Sequence, residues 1–193
     1  MKLIVLSKDG TLIKPIFKGR FWGLPDTQTV LPGAREAVAY YHSRGWKIVI
    51  CANKGLVHAG LLTMEYCRLE MRACLRLFPE IEDVFFCADL LGQSCYGIKA
   101  HTETFYNWRM PLVQQLGIEK QFRKPHPGML LLARHLYNAD ECWHIGDKPE
   151  DEEAAIAGGM NFLDAKIFRS RFLLGVHNFK VSPLQVQFLE GIR

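Results

Sequence analysis

The chain has 193 residues, of which 49% are hydrophobic and 23% charged, and a formal net charge of +4. Such a length buries the core of one domain with room for an appended tail, and the balance is that of a globular protein, not a disordered or fibrous one. The mild basicity suits an anionic ligand and falls far short of a protein that coats nucleic acid.

In chain order, Leu3-Ile-Val-Leu6 is a short aliphatic run ending at Ser7-Lys8-Asp9-Gly10, which predicts a buried parallel strand and a tight loop. It is too short for a signal peptide, and no later run is long enough to span a bilayer. Residues 13 to 31 mix glycine, proline and aromatics without periodicity and read as a loop or short hairpin. Leu31-Pro-Gly33 opens a helix over Ala34 to Arg44, stopped by Gly45. Trp46-Lys-Ile-Val-Ile-Cys51 is a second strand, with Ala52-Asn53-Lys54-Gly55 at its carboxyl end. Apolar residues near helical spacing predict a helix over 63–78. Asp83 to Cys87 is a third strand, residues 89 to 107 are irregular, and Pro111 to Gly117 and Gly128 to Tyr137 are helical. Glu141 to Ile145 is a fourth strand running into Gly146-Asp147. A helix over 150–157 and a fifth strand, Asn161 to Asp164, follow.

Strands alternating with helices predict an α/β fold: a three-layer sandwich around a Rossmann-like parallel sheet of about five strands. The domain is expected over residues 1–165, and residues 166–193 as a C-terminal tail docking on it, with Ser182-Pro183 starting a last helix. The six cysteines include several inside apolar runs, where a free thiol acts as a small hydrophobe. That pattern points to a reducing, cytoplasmic compartment.

In an open parallel sheet, ligands bind beyond the carboxyl ends of the strands. Ser7, Asp9, Asn53, Lys54, Asp147 and Asp151 fall there, and Arg123-Lys124-Pro-His-Pro-Gly128 precedes a helix at the same edge. Carboxylates, a lysine and small polar groups make a site for a divalent cation, Mg2+, and a phosphate.

Ser7-Lys-Asp-Gly-Thr-Leu12 resembles the first motif, Asp-x-Asp-Gly-Thr-Leu, of the haloacid dehalogenase (HAD) superfamily. Asn53 falls in its second motif, Lys124-Pro-x-Pro matches the third, and Gly146-Asp147-x-x-x-Asp151 the fourth. The ordered set resembles subclass IIIA, the branch of histidinol-phosphate and heptose-bisphosphate phosphatases and polynucleotide 3′-phosphatases, which has no large cap domain. The resemblance implies a Mg2+-dependent phosphomonoester hydrolase. Asp9 would be the general acid/base and touch the metal through its carbonyl. Lys124 would bind the phosphoryl group. Asp147 and Asp151 would serve the metal, and Asn53, Lys54 and Arg123 the substrate.

Two departures bear on that reading. The family's nucleophile is an aspartate, and Ser7 stands in its place; a serine hydroxyl is a poor nucleophile until a base takes its proton. Ala52 stands where the second motif carries a hydroxyl, a bond to a charged phosphate worth about 1.5–3 kcal/mol. Three readings therefore stay open: a phosphohydrolase with impaired or altered chemistry, a phospholigand or nucleic-acid binding module without catalysis, or a structural partner that keeps only the fold. The partner is a phosphorylated small molecule or a nucleic-acid 3′ end.

Some features have a plainer alternative. Zinc-binding members of that branch use a Cys-x-His loop and a later Cys-x-Cys; Cys87 and Cys95 with His101 offer at most a degenerate version. His58 and His126 are either substrate contacts or solvent-facing loop residues, and His144 is structural. Phe17, Phe21 and Trp22, among Lys14, Lys18 and Arg20, form either a base-stacking platform or an ordinary lid.

Overall fold

The computed structural model describes residues 1–14, 28–119, 121–175 and 178–191. The stretch carrying Phe17, Lys18, Arg20, Phe21 and Trp22 lies outside them. Strand β1 (Lys2–Leu6) follows the aliphatic run, and Leu3 to Leu6 are each fully buried. β2 (Ile13–Lys14) and β3 (Thr29–Val30) pair as a short antiparallel ribbon. Next come α1 (Ala34–Ser43), β4 (Lys47–Asn53), α2 (Met64–Leu77) and β5 (Asp83–Cys87). Thr63 caps α2 by accepting the Tyr66 amide at 3.0 Å. Two strands, β6 (Ser94–Ile98) and β7 (Glu103–Asn107), precede α3 (Pro111–Gln115) and α4 (Gly128–Leu136). β8 (Glu141–Gly146), α5 (Pro149–Ala157), β9 (Asn161–Asp164), α6 (Ala165–Ser170) and α7 (Pro183–Glu190) complete the order.

Among the described residues, seven strands form one sheet in the order β7-β6-β5-β4-β1-β8-β9. The run β5-β4-β1-β8-β9 is parallel, as the alternation of strands and helices predicts, and it places the ends of β1, β4 and β8 at one edge. The expectation of an irregular 89–107 is corrected: β6 and β7 extend the sheet as an antiparallel hairpin. Their signal is weak because β7 is largely exposed at the sheet edge and β6 carries Gly97, so neither shows the apolar run of a buried strand.

The pleat divides the core in two. Ile4, Leu6, Ile48, Ile50 and Phe86 face α1, α2 and the C-terminal segment. Leu3, Val5, Val49 and Phe85 face Val113, Met129, Leu132 and Ala154 from α3, α4 and α5. The segment expected as a docking tail contributes to the first of these cores. Phe168 of α6 is fully buried, and Phe188 of α7 stacks on Trp143 at 4.1 Å and on Tyr41 at 4.6 Å. Ser182 and Gln185 make a reciprocal cap for α7. No helix among the described residues is long and apolar enough to cross a membrane.

Because Phe188 is packed between two aromatic rings, Phe188→Ala is expected to lower the unfolding free energy by roughly 3 kcal/mol. Urea denaturation followed by tryptophan fluorescence measures this, and a loss near zero would show that α7 contributes nothing to the core.

Candidate active site

Three parallel strands deliver Ser7, Asn53 and Asp147 to the same edge of the sheet, and the turn before α4 adds Arg123 and Lys124. A cleft of about 560 Å³ opens there, lined in part by Asp9, Asn53, Lys54, Arg123, Asp147 and Glu150. A larger cavity of about 730 Å³ lies at the opposite edge, where β1 and β8 begin, beside Trp46 and Phe188. None of the predicted site residues lines it, whereas Asp9, Asn53, Lys54, Arg123 and Asp147 line the smaller cleft, with Ser7, Lys124 and Asp151 buried behind that lining.

Lys124 is 3% exposed, and its ammonium reaches Asp151 Oδ1 at 2.5 Å, the Cys51 carbonyl at 2.9 Å and Ser7 Oγ at 3.2 Å. An ammonium has three protons to donate, so all are engaged. The Ser7 bond is the longest and joins two groups at the end of β1, so it is the one an entering anionic oxygen can replace. Asn53, expected to orient substrate, is committed to the main chain of Lys124. Its amide donates to the Lys124 carbonyl at 2.9 Å and accepts from the Lys124 N–H at 3.1 Å. It therefore positions the lysine. Ala52 is packed in the core and offers the cleft no hydroxyl.

Asp151, expected at the metal, is likewise spent inside the protein. One oxygen pairs with Lys124, and the other accepts the backbone amides of Asp147 and Lys148 at 3.2 Å each, closing the start of α5. Burial raises its carboxyl, but the His144 contact and the Lys124 charge outweigh burial and hold it well below the usual carboxylate range. His144 Nδ1 lies 2.9 Å from the Val5 carbonyl and Nε2 3.5 Å from Asp151, and burial lowers the His144 pKa. Its role is to support Asp151.

Asp9 belongs to a second network that sequence reading missed. Lys8 has no exposed surface and contacts Asp9 Oδ1 at 2.6 Å and Glu70 Oε1 at 2.8 Å. Lys54 contacts Asp9 Oδ2 at 2.8 Å and the same Glu70 oxygen at 3.0 Å. The four charges alternate in a ring: two ammonium groups between two carboxylates. Burial pushes the Asp9 carboxyl up, yet Lys54 and Lys8 together hold it far below the usual range. Lys54 is in turn held protonated by Asp9 and Glu70 against its own burial. Glu70 sits on α2, where its charge reads as part of a solvated helix face, and only packing turns it inward.

The tail also reaches the site. Arg169 of α6 donates through one nitrogen to the carbonyls of Gly10 and Thr11, at 2.9 and 2.7 Å. Gly10 has a φ of +83°, and a Cβ there would lie 2.0 Å from Asp147 Oδ2, so only glycine lets the two loops touch.

Whether the residues fit the magnesium that the resemblance implies depends on free oxygens. Among the described residues, no three His, Cys, Asp or Glu side chains gather as a metal cluster. Both Asp9 oxygens face lysines, and Asp151 is spent. Asp147 is exposed and enters no salt bridge among the described residues; burial and then the negative Asp151 raise its carboxyl. The charged side chains lining the cleft are Asp9, Glu70, Asp147 and Glu150 against Lys54, Arg123 and Lys148, one carboxylate in excess. Magnesium is held by one or two carboxylates together with substrate phosphate oxygens. Asp147, with the Asp9 carbonyl and Ser7 hydroxyl, is thus a minimal fit, and Glu150 is the other cleft carboxylate outside a salt bridge among the described residues.

Cys87 and Cys95 are buried, with the Cys87 thiol pushed up to about 12 by burial, while His58, His101 and His126 are exposed. All six cysteines are free and buried.

A HAD-hydrolase-like family profile matches residues 121–163, the stretch that carries Lys124, Asp147 and Asp151. Among solved structures, D,D-heptose 1,7-bisphosphate phosphatase from B. bronchiseptica, complexed with magnesium and phosphate, is similar at 23% identity. The alignment covers 84% of this chain and 79% of that one, with a TM-score of 0.60. A provisionally assigned HAD-like phosphatase from Mesorhizobium loti matches at 22% identity over 83% of this chain and 69% of that one, TM-score 0.59. An uncharacterized protein from Listeria monocytogenes serotype 4b matches at 13% identity over 100% of both chains, TM-score 0.54. No curated protein sequence matches the chain. The fold is HAD-like.

Glu70→Gln keeps the shape of the side chain but leaves two buried lysines facing one carboxylate. It is expected to cost roughly 3 kcal/mol of stability, read by urea denaturation. Asp9 and Asp151 both have depressed carboxyls in the folded state, so the unfolded chain takes up protons first as the pH falls below about 4. Stability should be full above that pH and decline below it, and Asp9→Asn should flatten the decline. An unchanged slope in Asp9→Asn would show that Asp9 is not held ionised.

Proposed function

We propose that the chain is a phosphomonoester site of the HAD kind in which turnover is attenuated: it binds a phosphorylated ligand and hydrolyses it slowly. The observation that carries this reading is the buried Lys124 ammonium, bracketed by Ser7 and Asp151 at the carboxyl end of the sheet. A phosphoryl oxygen takes over the Ser7 bond to Lys124. Arg123 adds a donor, since its Nη1 is buried without a hydrogen-bond partner. A bound magnesium ion, held by Asp147 with the Asp9 carbonyl and Ser7 hydroxyl, would supply positive charge against the phosphoryl oxygens.

Attenuation follows from two residues. Ser7 brings a neutral hydroxyl where a carboxylate is needed, and it attacks only if a base takes its proton. Asp9, the neighbouring candidate, is a weak base between two ammonium groups, and for the same reason holds no proton to give a leaving oxygen. The clamped state of Asp9 favours a second reading, binding without turnover. The ligand is a phosphorylated small molecule in the first instance, with a nucleic-acid 3′ end as the alternative.

Phosphate release with magnesium is the test, run on p-nitrophenyl phosphate, phenyl phosphate, histidinol phosphate and a 3′-phosphorylated oligonucleotide. Ser7→Asp should exceed the parent by roughly 100-fold or more on p-nitrophenyl phosphate, whose leaving group departs without a proton. On phenyl phosphate, which leaves with more difficulty, the gain should be smaller, because Asp9 stays clamped. A parent that releases nothing but whose melting temperature rises with phosphate would establish the binding reading. Silence of Ser7→Asp on every substrate, without any phosphate-dependent rise, would end both.

A further inference from the structure

The cleft's lining divides by chemistry. Asp9, Asn53, Lys54, Arg123 and Asp147 make its polar part, whereas Leu56, Ala59, Leu62 and Leu90 make an apolar part, with Tyr66 beside them. The apolar residues come from the segment between β4 and α2 and from the loop after β5. The two parts meet at Gly55. A Cβ on that residue would lie 2.7 Å from Leu90 Cδ2 and 2.9 Å from Arg123 Nη1, so glycine lets the leucine methyl and the guanidinium close on the same stretch of backbone.

Among the described residues, Leu56 and Leu90 stay open toward the cleft, while Leu62 packs partly against the core. Leu56 is 36% and Leu90 49% exposed, whereas the more exposed Leu61 and Leu91 lie outside the cleft lining. A single exposed leucine needs no explanation, but several around one charged cleft form the apolar, polar-tipped lining of a small-molecule site. The cleft, about 560 Å³, is much larger than a phosphoryl group needs.

From this juxtaposition we propose that the ligand is a phosphomonoester whose alcohol is apolar or aromatic, with the phosphoryl group on the Arg123 side, toward the buried Lys124, and the organic body against Leu56, Leu62 and Leu90. The inference rests on the phosphate-site reading above and narrows it. A polyol phosphate would have to strip water from its hydroxyls against leucine without new partners, which disfavours it. An aryl or alkyl body loses nothing there and removes apolar surface from water on both sides.

Isothermal titration of the whole chain with magnesium tests this, using 1-naphthyl phosphate, glycerol 3-phosphate, inorganic phosphate and 1-naphthol. The naphthyl ester is expected to bind at least roughly tenfold more tightly than glycerol 3-phosphate. Leu90→Ser should narrow that ratio, whereas Leu136→Ser, an exposed leucine of α4 outside the cleft, should leave it unchanged. Equal affinities, or tighter binding of glycerol 3-phosphate, overturn the inference while leaving the phosphate site standing. Binding of 1-naphthol as tight as its phosphate also overturns it. If neither the esters nor inorganic phosphate bind, the phosphate-site reading itself fails.

Discussion

A buried ammonium must be paired, and the pairing of Lys124 with Asp151 is the constraint around which the site is arranged. Asp151 accepts the first amides of α5, so the lysine is fixed to the start of that helix. Asn53 grips the main chain on both sides of the Lys124 Cα and fixes it to the end of β4. Ser7 completes the set from β1. One charge thus ties together the ends of three strands, and removing Asp151 would leave an unpaired cation in the interior at a cost of several kcal/mol.

Next to it, the ring of Lys8, Asp9, Lys54 and Glu70 satisfies its charges in a different way. The first network leaves an exchangeable bond at Ser7; the second is closed, with Asp9 between two lysines. Such a site is well made for holding an anion and poorly made for moving a proton. The similarity to solved HAD-like proteins concerns the fold, and the same fold accommodates different chemistry when the residues at the strand ends change.

Residues adjacent to strand ends were the legible ones. Ser7, Asp9, Asn53, Lys54 and Asp147 follow buried runs of Val, Ile and Leu, and a parallel sheet brings such positions to one edge whatever the loops do. Lys8 was passed over because a lysine in a loop normally reaches solvent, and here its ammonium is drawn inward by two carboxylates. Arg169 lies 158 residues along the chain from Thr11, in a stretch with no strong pattern, yet it holds the Gly10 and Thr11 carbonyls. The β6–β7 hairpin was missed because edge strands need not be apolar.

The sequence by itself determined the α/β order, the parallel core of the sheet and the edge at which Ser7, Asp9, Asn53, Lys54 and Asp147 gather. These are properties of local pattern: strand hydrophobicity, helix spacing and the identity of the residue after each strand. Only the tertiary structure decided what each polar group does. It set Asn53 as a clamp on Lys124, engaged Asp151 with Lys124 and the start of α5, closed Asp9 between two lysines and brought the C-terminal segment into the core. The physical reason is that a side chain's role follows from which charges and dipoles surround it in a low-dielectric interior, and those neighbours are distant in sequence.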